Sequence, residues 1–140
     1  MKDATLGGIA PLGTILIVDD TPTSATALEL ACAGIRGVHV RTVSSALEAV
    51  RILQREDGPV CAVITDLRMP VMDGFQLVEF MRAHSRHAAT PVVVVTADTD
   101  PDTPERMARL GADAYFAKPF SPGAVRQTVE RLLHANQTSK

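Results

Sequence analysis

The chain has 140 residues, 46% hydrophobic and 21% charged, a globular composition for one domain that excludes disorder throughout. Fourteen basic against sixteen acidic residues leave a formal charge of −2, so the broad basic surface of a nucleic-acid domain is missing. No apolar run approaches the length of a bilayer span, which excludes insertion into a membrane as a helix.

From the N-terminus, residues 1–12 hold no continuous apolar stretch of the signal-peptide kind and read as a flexible lead-in. Thr14 to Val18 (TILIV) is a short apolar run of the sort covered on both faces of a sheet. Thr21 and Pro22 then start a helix, with Thr as N-cap and Pro in the first turn, running to about Ala33 and stopped by Gly34. Val38 to Val43 alternates apolar and polar residues, as an edge strand does. Ser45 and Glu48 have capping-box spacing, and Leu47, Val50 and Leu53 repeat on one helical face behind them. Val60 to Thr65 is the third strand. A loop broken by Pro70 and Gly74 leads to a helix from Phe75 to about Arg82, with Leu77, Val78 and Met81 facing inward. Pro91 to Val95 (PVVVV) is expected to be a central strand. Thr103 and Pro104 open a short helix that Gly111 ends, Ala114 to Ala117 is the fifth strand, and Ser121 and Pro122 open the last helix. Residues 136–140 read as a polar, flexible tail, so the domain is placed at 13–135.

Five strand–helix units joined by short links give an α/β fold, a parallel sheet with helices on both faces. In such folds functional groups collect at the carboxyl ends of the strands, beside the point where strand order reverses. The first strand ends in Asp19 and Asp20, the third in Asp66, the fourth in Thr96 and the fifth in Lys118 and Pro119. If these strands are neighbours, three carboxylates converge with a hydroxyl and an ammonium. Carboxylates that close repel unless compensated. Hard oxygen ligands with room for water describe a magnesium site, which together with a lysine balances three carboxylates. Eleven arginines outnumber three lysines, and Lys118 is the sole lysine away from the chain ends, which suggests a compact point charge is wanted there.

Four segments in this order carry a family resemblance: Ile17 to Asp20 (IVDD), Thr65 to Gly74 (TDLRMPVMDG), Val95 to Ala97 (VTA) and Gly111 to Phe120 (GADAYFAKPF). Together they resemble the CheY-like receiver domain of two-component response regulators, over about residues 13 to 135. The resemblance implies a flavodoxin-like doubly wound (βα)5 sheet of strand order 2-1-3-4-5. It implies Asp66 as acceptor of a phosphoryl group from a phosphohistidine. It implies Mg²⁺ (or Mn²⁺) held by Asp20, Asp66 and the backbone carbonyl of Arg68, with Asp19 mostly through water. Lys118 would pair with the acceptor, Thr96 and Tyr115 would form the switch, the Lys118–Pro119 peptide would be cis, and small Ala97 would leave room for the donor. The partners implied are a histidine kinase or histidine phosphotransfer protein as donor and a downstream protein target, with the last two helices and fifth strand as output face.

Each residue also has a plainer reading. Asp19 and Asp20 could solvate a loop, Asp66 could cap a turn. Lys118 could snorkel at the surface, and Tyr115 could be a half-buried strand aromatic. Joint occurrence at four strand ends is what outweighs these. Cys32 and Cys61 read as small core residues, and their lack of close spacing suits a reducing, cytoplasmic compartment. His39, His84, His87 and His134 lie in no phosphotransfer motif, so the donor is another protein. A phosphatase of the haloacid-dehalogenase kind ranks far behind, since Asp19-Asp20-Thr21 lacks its Asp-x-Asp pattern. Remaining alternatives are the receiver portion of a longer regulator or hybrid kinase and a phosphorylation-independent docking module. The expected role is a single-domain switch, not an enzyme on other substrates.

Overall fold

A computed structural model describes residues 12–55 and 59–138. Ten elements alternate along it: β1 (Gly13–Val18), α1 (Pro22–Ala33), β2 (Val38–Val43), α2 (Ala46–Gln54), β3 (Val60–Thr65), α3 (Gly74–Ala83), β4 (Val92–Thr96), α4 (Thr103–Leu110), β5 (Ala114–Ala117) and α5 (Pro122–Thr138). The five strands form one parallel sheet in the order β2-β1-β3-β4-β5, the flavodoxin-like arrangement expected from the sequence. The chain leaves β1 toward β2 and returns past it to β3, so strand order reverses beside β1, where such sheets open a crevice.

Alternation along the strands builds two cores. Leu16, Val18, Val63, Val92 and Val94 face α2, α3 and α4, and pack with Leu53, Leu77, Met81 and Met107. Ile15, Ile17, Ala62, Ile64, Val93 and Val95 face the other way and pack with Leu28 and Cys32 of α1 and Val125, Val129 and Leu133 of α5. Because β1, β3 and β4 are covered on both faces, their residues 15–18, 60–64 and 92–95 are apolar without interruption. Edge strand β2 is mixed, as its alternating polarity indicated.

Several local expectations are corrected. On α2 the buried residues are Ala46, Ala49 and Leu53, while Leu47 is 45% exposed. Two alanines bring the helix close to the sheet, and Leu47 lies on the outer side. Ser45 accepts from the Glu48 amide at 3.2 Å, but Glu48 returns to the amide of Ser44 and not to that of Ser45. The complete capping box stands on α3, where Asp73 and Gln76 each accept from the other's backbone N–H at 2.9 Å. Thr21 occupies the N-cap position of α1 without a side-chain cap bond. Asp19 instead fixes the turn into the helix, accepting from the Thr21 amide at 2.8 Å. Helix α5 runs to Thr138, past the boundary placed at 135, so 136–138 are helical and not tail. Of the expected lead-in only residue 12 is described, and 139–140 lie outside the described residues.

At the end of the sheet away from the strand carboxyl termini, Arg82 ties three segments together. Its guanidinium donates to the carbonyls of Thr90 (2.7 Å) and Gly111 (2.7 Å) and pairs with Asp113 (3.1 Å). Gly111 ends α4 with φ of 110°, a conformation costly to other residues, and a side chain there would strike Arg82. His87 is buried beside this cluster, with Nε2 2.8 Å from the Leu53 carbonyl and Nδ1 3.3 Å from the Thr90 hydroxyl. Burial lowers its pKa against the opposing pull of the Leu53 carbonyl. A histidine whose folded pKa is depressed contributes stability above its unfolded value near 6.5, and that contribution is lost as pH falls through the folded value. His87→Gln should therefore lower the melting temperature at pH 7.5, and the gap to wild type should narrow below about pH 6.5. Thermal melts followed by circular dichroism between pH 5 and 8 check this; a gap constant with pH would refute it.

Gly74 fixes the start of α3 against the loop after β3. Its amide donates to the Leu67 carbonyl at 2.8 Å, and a Cβ on it would lie 2.6 Å from the Asp66 carbonyl oxygen. The obstacle is backbone, which cannot rotate away. Gly74→Ala is expected to destabilise the fold by about 1–3 kcal/mol through overpacking. It should also shift the Asp66 and Leu67 amide resonances more than those of β2, measurable by denaturant titration and a ¹H–¹⁵N correlation spectrum.

Candidate functional site

The sheet's hydrogen bonding extends one residue beyond the strands and sets the site in register. Asp19 N–H donates to the Val43 carbonyl (3.1 Å), Asp66 N–H to the Val18 carbonyl (2.8 Å) and Lys118 N–H to the Thr96 carbonyl (2.8 Å). Each polar residue is thereby held to the strand beside it. Asp19, Asp20 and Asp66 come together, each offering a carboxylate oxygen within 4.8 Å of the other two. Asp19 and Asp66 are buried and Asp20 is exposed.

The Lys118 ammonium bridges the two buried acids, 3.0 Å from Asp66 Oδ2 and 3.2 Å from Asp19 Oδ2. Asp66 Oδ1 accepts from the Leu67 amide at 2.6 Å, and Asp19 accepts from Ser24 Oγ at 2.7 Å. Burial pushes the Asp66 carboxyl up, the hydrogen bond and charge of Lys118 pull it down, and the Asp19 charge raises it again; the outcome is above the ordinary value. Burial works against the Lys118 ammonium, but the hydrogen bond and charge of Asp66, then Asp19, more than reverse it and leave its pKa raised. Lys118 is thus held as a cation at neutral pH.

Asp66 and Lys118 open onto a cleft of about 610 Å³, lined also by Asp20, Arg68, Thr96 and Ala97 among others, with Asp19 enclosed behind them. Thr96 is enclosed, and its hydroxyl accepts from the Asp98 amide at 3.1 Å. Tyr115 pairs in register with Val94, on the sheet face that Thr96 shares, and its hydroxyl donates to the Asp98 carbonyl at 3.4 Å. The Lys118–Pro119 peptide is cis. Every residue singled out at the strand ends therefore lies at one end of the sheet, with Tyr115 one step behind.

Three further residues belong to this neighbourhood, with roles at the site that the sequence pattern does not assign. Ser24 satisfies Asp19 from the first turn of α1. Gly74 limits where the Asp66 backbone can sit. Asp98 contacts both Thr96 and Tyr115. The run Thr96 to Asp98 offered only a strand-end signal for the last of these, and a Gly before an apolar helix only a turn signal for Gly74.

The donors suit a hard divalent cation of the magnesium type: three carboxylates, one of them exposed, in an open cleft where water can complete the coordination. The two thiols take no part. Burial pushes Cys32 and Cys61 up to about 11, so they stay protonated at neutral pH. Among the described residues no helix is long and apolar enough to cross a membrane.

Comparison with known proteins agrees with this geometry. Residues 15–130 match the response regulator receiver domain family. The chain is 34% identical over 124 residues to the transcriptional regulatory protein GltR of Pseudomonas aeruginosa, covering 89% of this chain and 50% of that protein. It is 27% identical over 119 residues to a chemotaxis protein CheY homolog of Campylobacter jejuni, covering 85% of this chain and 91% of that one. Among solved structures it is similar to the receiver domain of a histidine kinase from Syntrophus aciditrophicus (31% identity, TM-score 0.79, 91% of this chain and 95% of that one). The chemotaxis response regulator CheY4 of Vibrio cholerae is also similar (28% identity, TM-score 0.75, 86% and 98%). The chain spans a quarter to about half the length of several curated relatives it matches. By sequence and topology, the chain belongs to the response regulator receiver domain family.

Proposed function

We propose that this chain is a phosphoacceptor switch: Asp66 takes a phosphoryl group from a phosphohistidine on a histidine kinase or phosphotransfer protein, and the acyl phosphate alters the surface read by a downstream protein. The observation that carries this reading is the lysine-bridged acid pair of Asp66 and Asp19 at the floor of an open cleft. A carboxylate oxygen of Asp66 attacks phosphorus, the P–N bond to the imidazole breaks, and the imidazole leaves with the electron pair and takes a proton. Such transfer depends on positioning and charge neutralisation more than on covalent help. Lys118 stands 3.0 Å from Asp66 and would follow the charge onto a phosphoryl oxygen. Asp19, Asp20 and Asp66, with the Arg68 carbonyl, would hold Mg²⁺, which supplies charge neutralisation of the phosphoryl oxygens when bound. Thr96 would turn to donate to the phosphoryl group, and Tyr115 would fill the space behind it. The chemistry is confined to the chain's own Asp66, so the role is that of a signalling protein and not an enzyme on other substrates. We place it in the cytoplasm, acting alone or as the receiver of a longer regulator or hybrid kinase; binding to DNA is left to other proteins or segments.

Incubation with acetyl phosphate and Mg²⁺, followed by intact mass spectrometry, should show a single phosphoryl adduct. Asp66→Asn should show none, and Lys118→Ala should form it on the order of 100-fold more slowly, as for loss of one charge-stabilising donor. An adduct that persists in Asp66→Asn would place the acceptor elsewhere and overturn the reading.

The raised carboxyl of Asp66 adds a pH test. Metal ligation needs the carboxylate, so protons compete with Mg²⁺ from above the ordinary Asp range. Apparent Mg²⁺ affinity should fall as pH is lowered through this raised value, and Asp66→Asn should lose that part of the dependence. Titrations followed by amide chemical shifts or by the fluorescence of the sole tyrosine, Tyr115, measure it. Identical pH profiles for the two proteins would contradict the assignment.

A further inference from the structure

The wall of the cleft contains a second ion pair. Arg68, on the loop after β3, places Nη2 2.6 Å and Nε 3.1 Å from Asp98 Oδ2 on the loop after β4. The same oxygen accepts from Thr103 Oγ1 at the start of α4 (3.2 Å), and Oδ1 accepts from the Asp100 amide (2.9 Å). The backbone of Asp98 is engaged as well, its N–H on the Thr96 hydroxyl and its carbonyl on the Tyr115 hydroxyl. One residue thus touches the loop after the acceptor, the end of β4, the start of α4 and the middle of β5.

We propose that Asp98 is a positioning residue that latches the β4–α4 loop in the unphosphorylated chain, and that a phosphoryl group on Asp66 opens the latch by drawing Arg68 and Thr96 to itself. This rests on the phosphoacceptor reading above. The pair is built to exchange. The Arg68 side chain is 60% exposed and can swing, whereas the Asp98 side chain is only 10% exposed and is also held by the Thr103 hydroxyl and the Asp100 amide. An ion pair so open to solvent is weak. A phosphoryl group in the same cleft brings more charge and three acceptor oxygens, and a guanidinium matches it through paired N–H donors. A Thr96 hydroxyl that turns toward phosphorus also leaves the Asp98 amide without its acceptor. Both movements loosen the same loop, and the Tyr115 hydroxyl loses the carbonyl that holds it outward. Phe75 adds a constraint, since its ring carries Arg106 of α4 at 3.7 Å on one contact and Arg68 at 5.7 Å on another. Displacement of Arg68 therefore removes one of the two cations over a ring that Arg106 of α4 also contacts.

Beryllofluoride with Mg²⁺ is the probe, and its affinity is measured on wild type, Asp98→Asn, Arg68→Met and the double variant. Asp98→Asn keeps an oxygen for the Asp100 amide while removing the acceptor that holds Arg68. It should bind beryllofluoride roughly two- to five-fold more tightly, the worth of an exposed ion pair. The Tyr115 ring signals of the unliganded variant should also move toward their bound positions. In the Arg68→Met background, Asp98→Asn should change neither. Equal tightening in both backgrounds would show simple removal of a repelling charge and overturn the latch. So would unchanged affinity and unchanged Tyr115 signals in a series whose wild type binds normally. Failure of wild type to bind at all would overturn the phosphoacceptor reading itself, and the latch with it.

Discussion

Two carboxylates buried side by side at the end of a parallel sheet repel, and everything at this end of the molecule is arranged around the ammonium that separates them. Lys118 reaches both Asp66 and Asp19 with one nitrogen, at 3.0 and 3.2 Å. A compact cation at the end of a long stem can do this; the planar fork of an arginine would have to choose one acid or widen the gap between them. Asp19 is further satisfied by Ser24 and the Thr21 amide, so it is held in place from the first turn of α1. Among the described residues, Asp66 has Lys118 and the Leu67 amide. Of the two buried acids it is the less committed, which is what an acceptor that must change its chemistry requires.

The sheet supplies the precision for this. Backbone bonds that continue past β1, β3 and β5 hold each functional residue to the neighbouring strand, so the distances between charges depend on register and not on flexible side chains alone. Register in turn is locked by the two cores, since a one-residue slip would exchange the faces of β1, β3 or β4 and carry every site residue with it.

That dependence explains what could be read from the sequence. Strands buried on both faces announce themselves as apolar runs, and the polar residue that ends each run is then conspicuous: Asp19, Asp66 and Thr96 are visible this way, while Lys118 ends the shorter, half-buried β5 and stands out as the one lysine away from the chain ends. Residues whose importance arises from proximity across the fold were not. Gly74 looked like a turn residue because its constraint is the Asp66 carbonyl, set by how α3 docks. Ser24 sat inside an ordinary helix start. Asp98 lay one position beyond the recognisable run, and its partner Arg68 is 30 residues away in sequence. The α2 face is hidden for a related reason: large apolar side chains dominate the helical pattern, but Ala46 and Ala49 make the contact with Leu53 because close packing favours small residues there.

The distribution of packing also decides which part of the molecule can respond to a charge placed at Asp66. Residues of β1, β3 and β4 are almost wholly enclosed, and such close-packed interiors yield little to a local perturbation. By contrast α4 buries only Thr103 and Met107, and β5 has no fully buried residue. Segments with few buried contacts open at low cost. The hydrogen bonds from Asp98 to Thr96, Thr103 and Tyr115 are what join this lightly packed edge to the rigid floor of the cleft. A change of charge at the floor is therefore resisted by β1, β3 and β4 and passed to α4 and β5, which neighbour the cleft and are lightly packed.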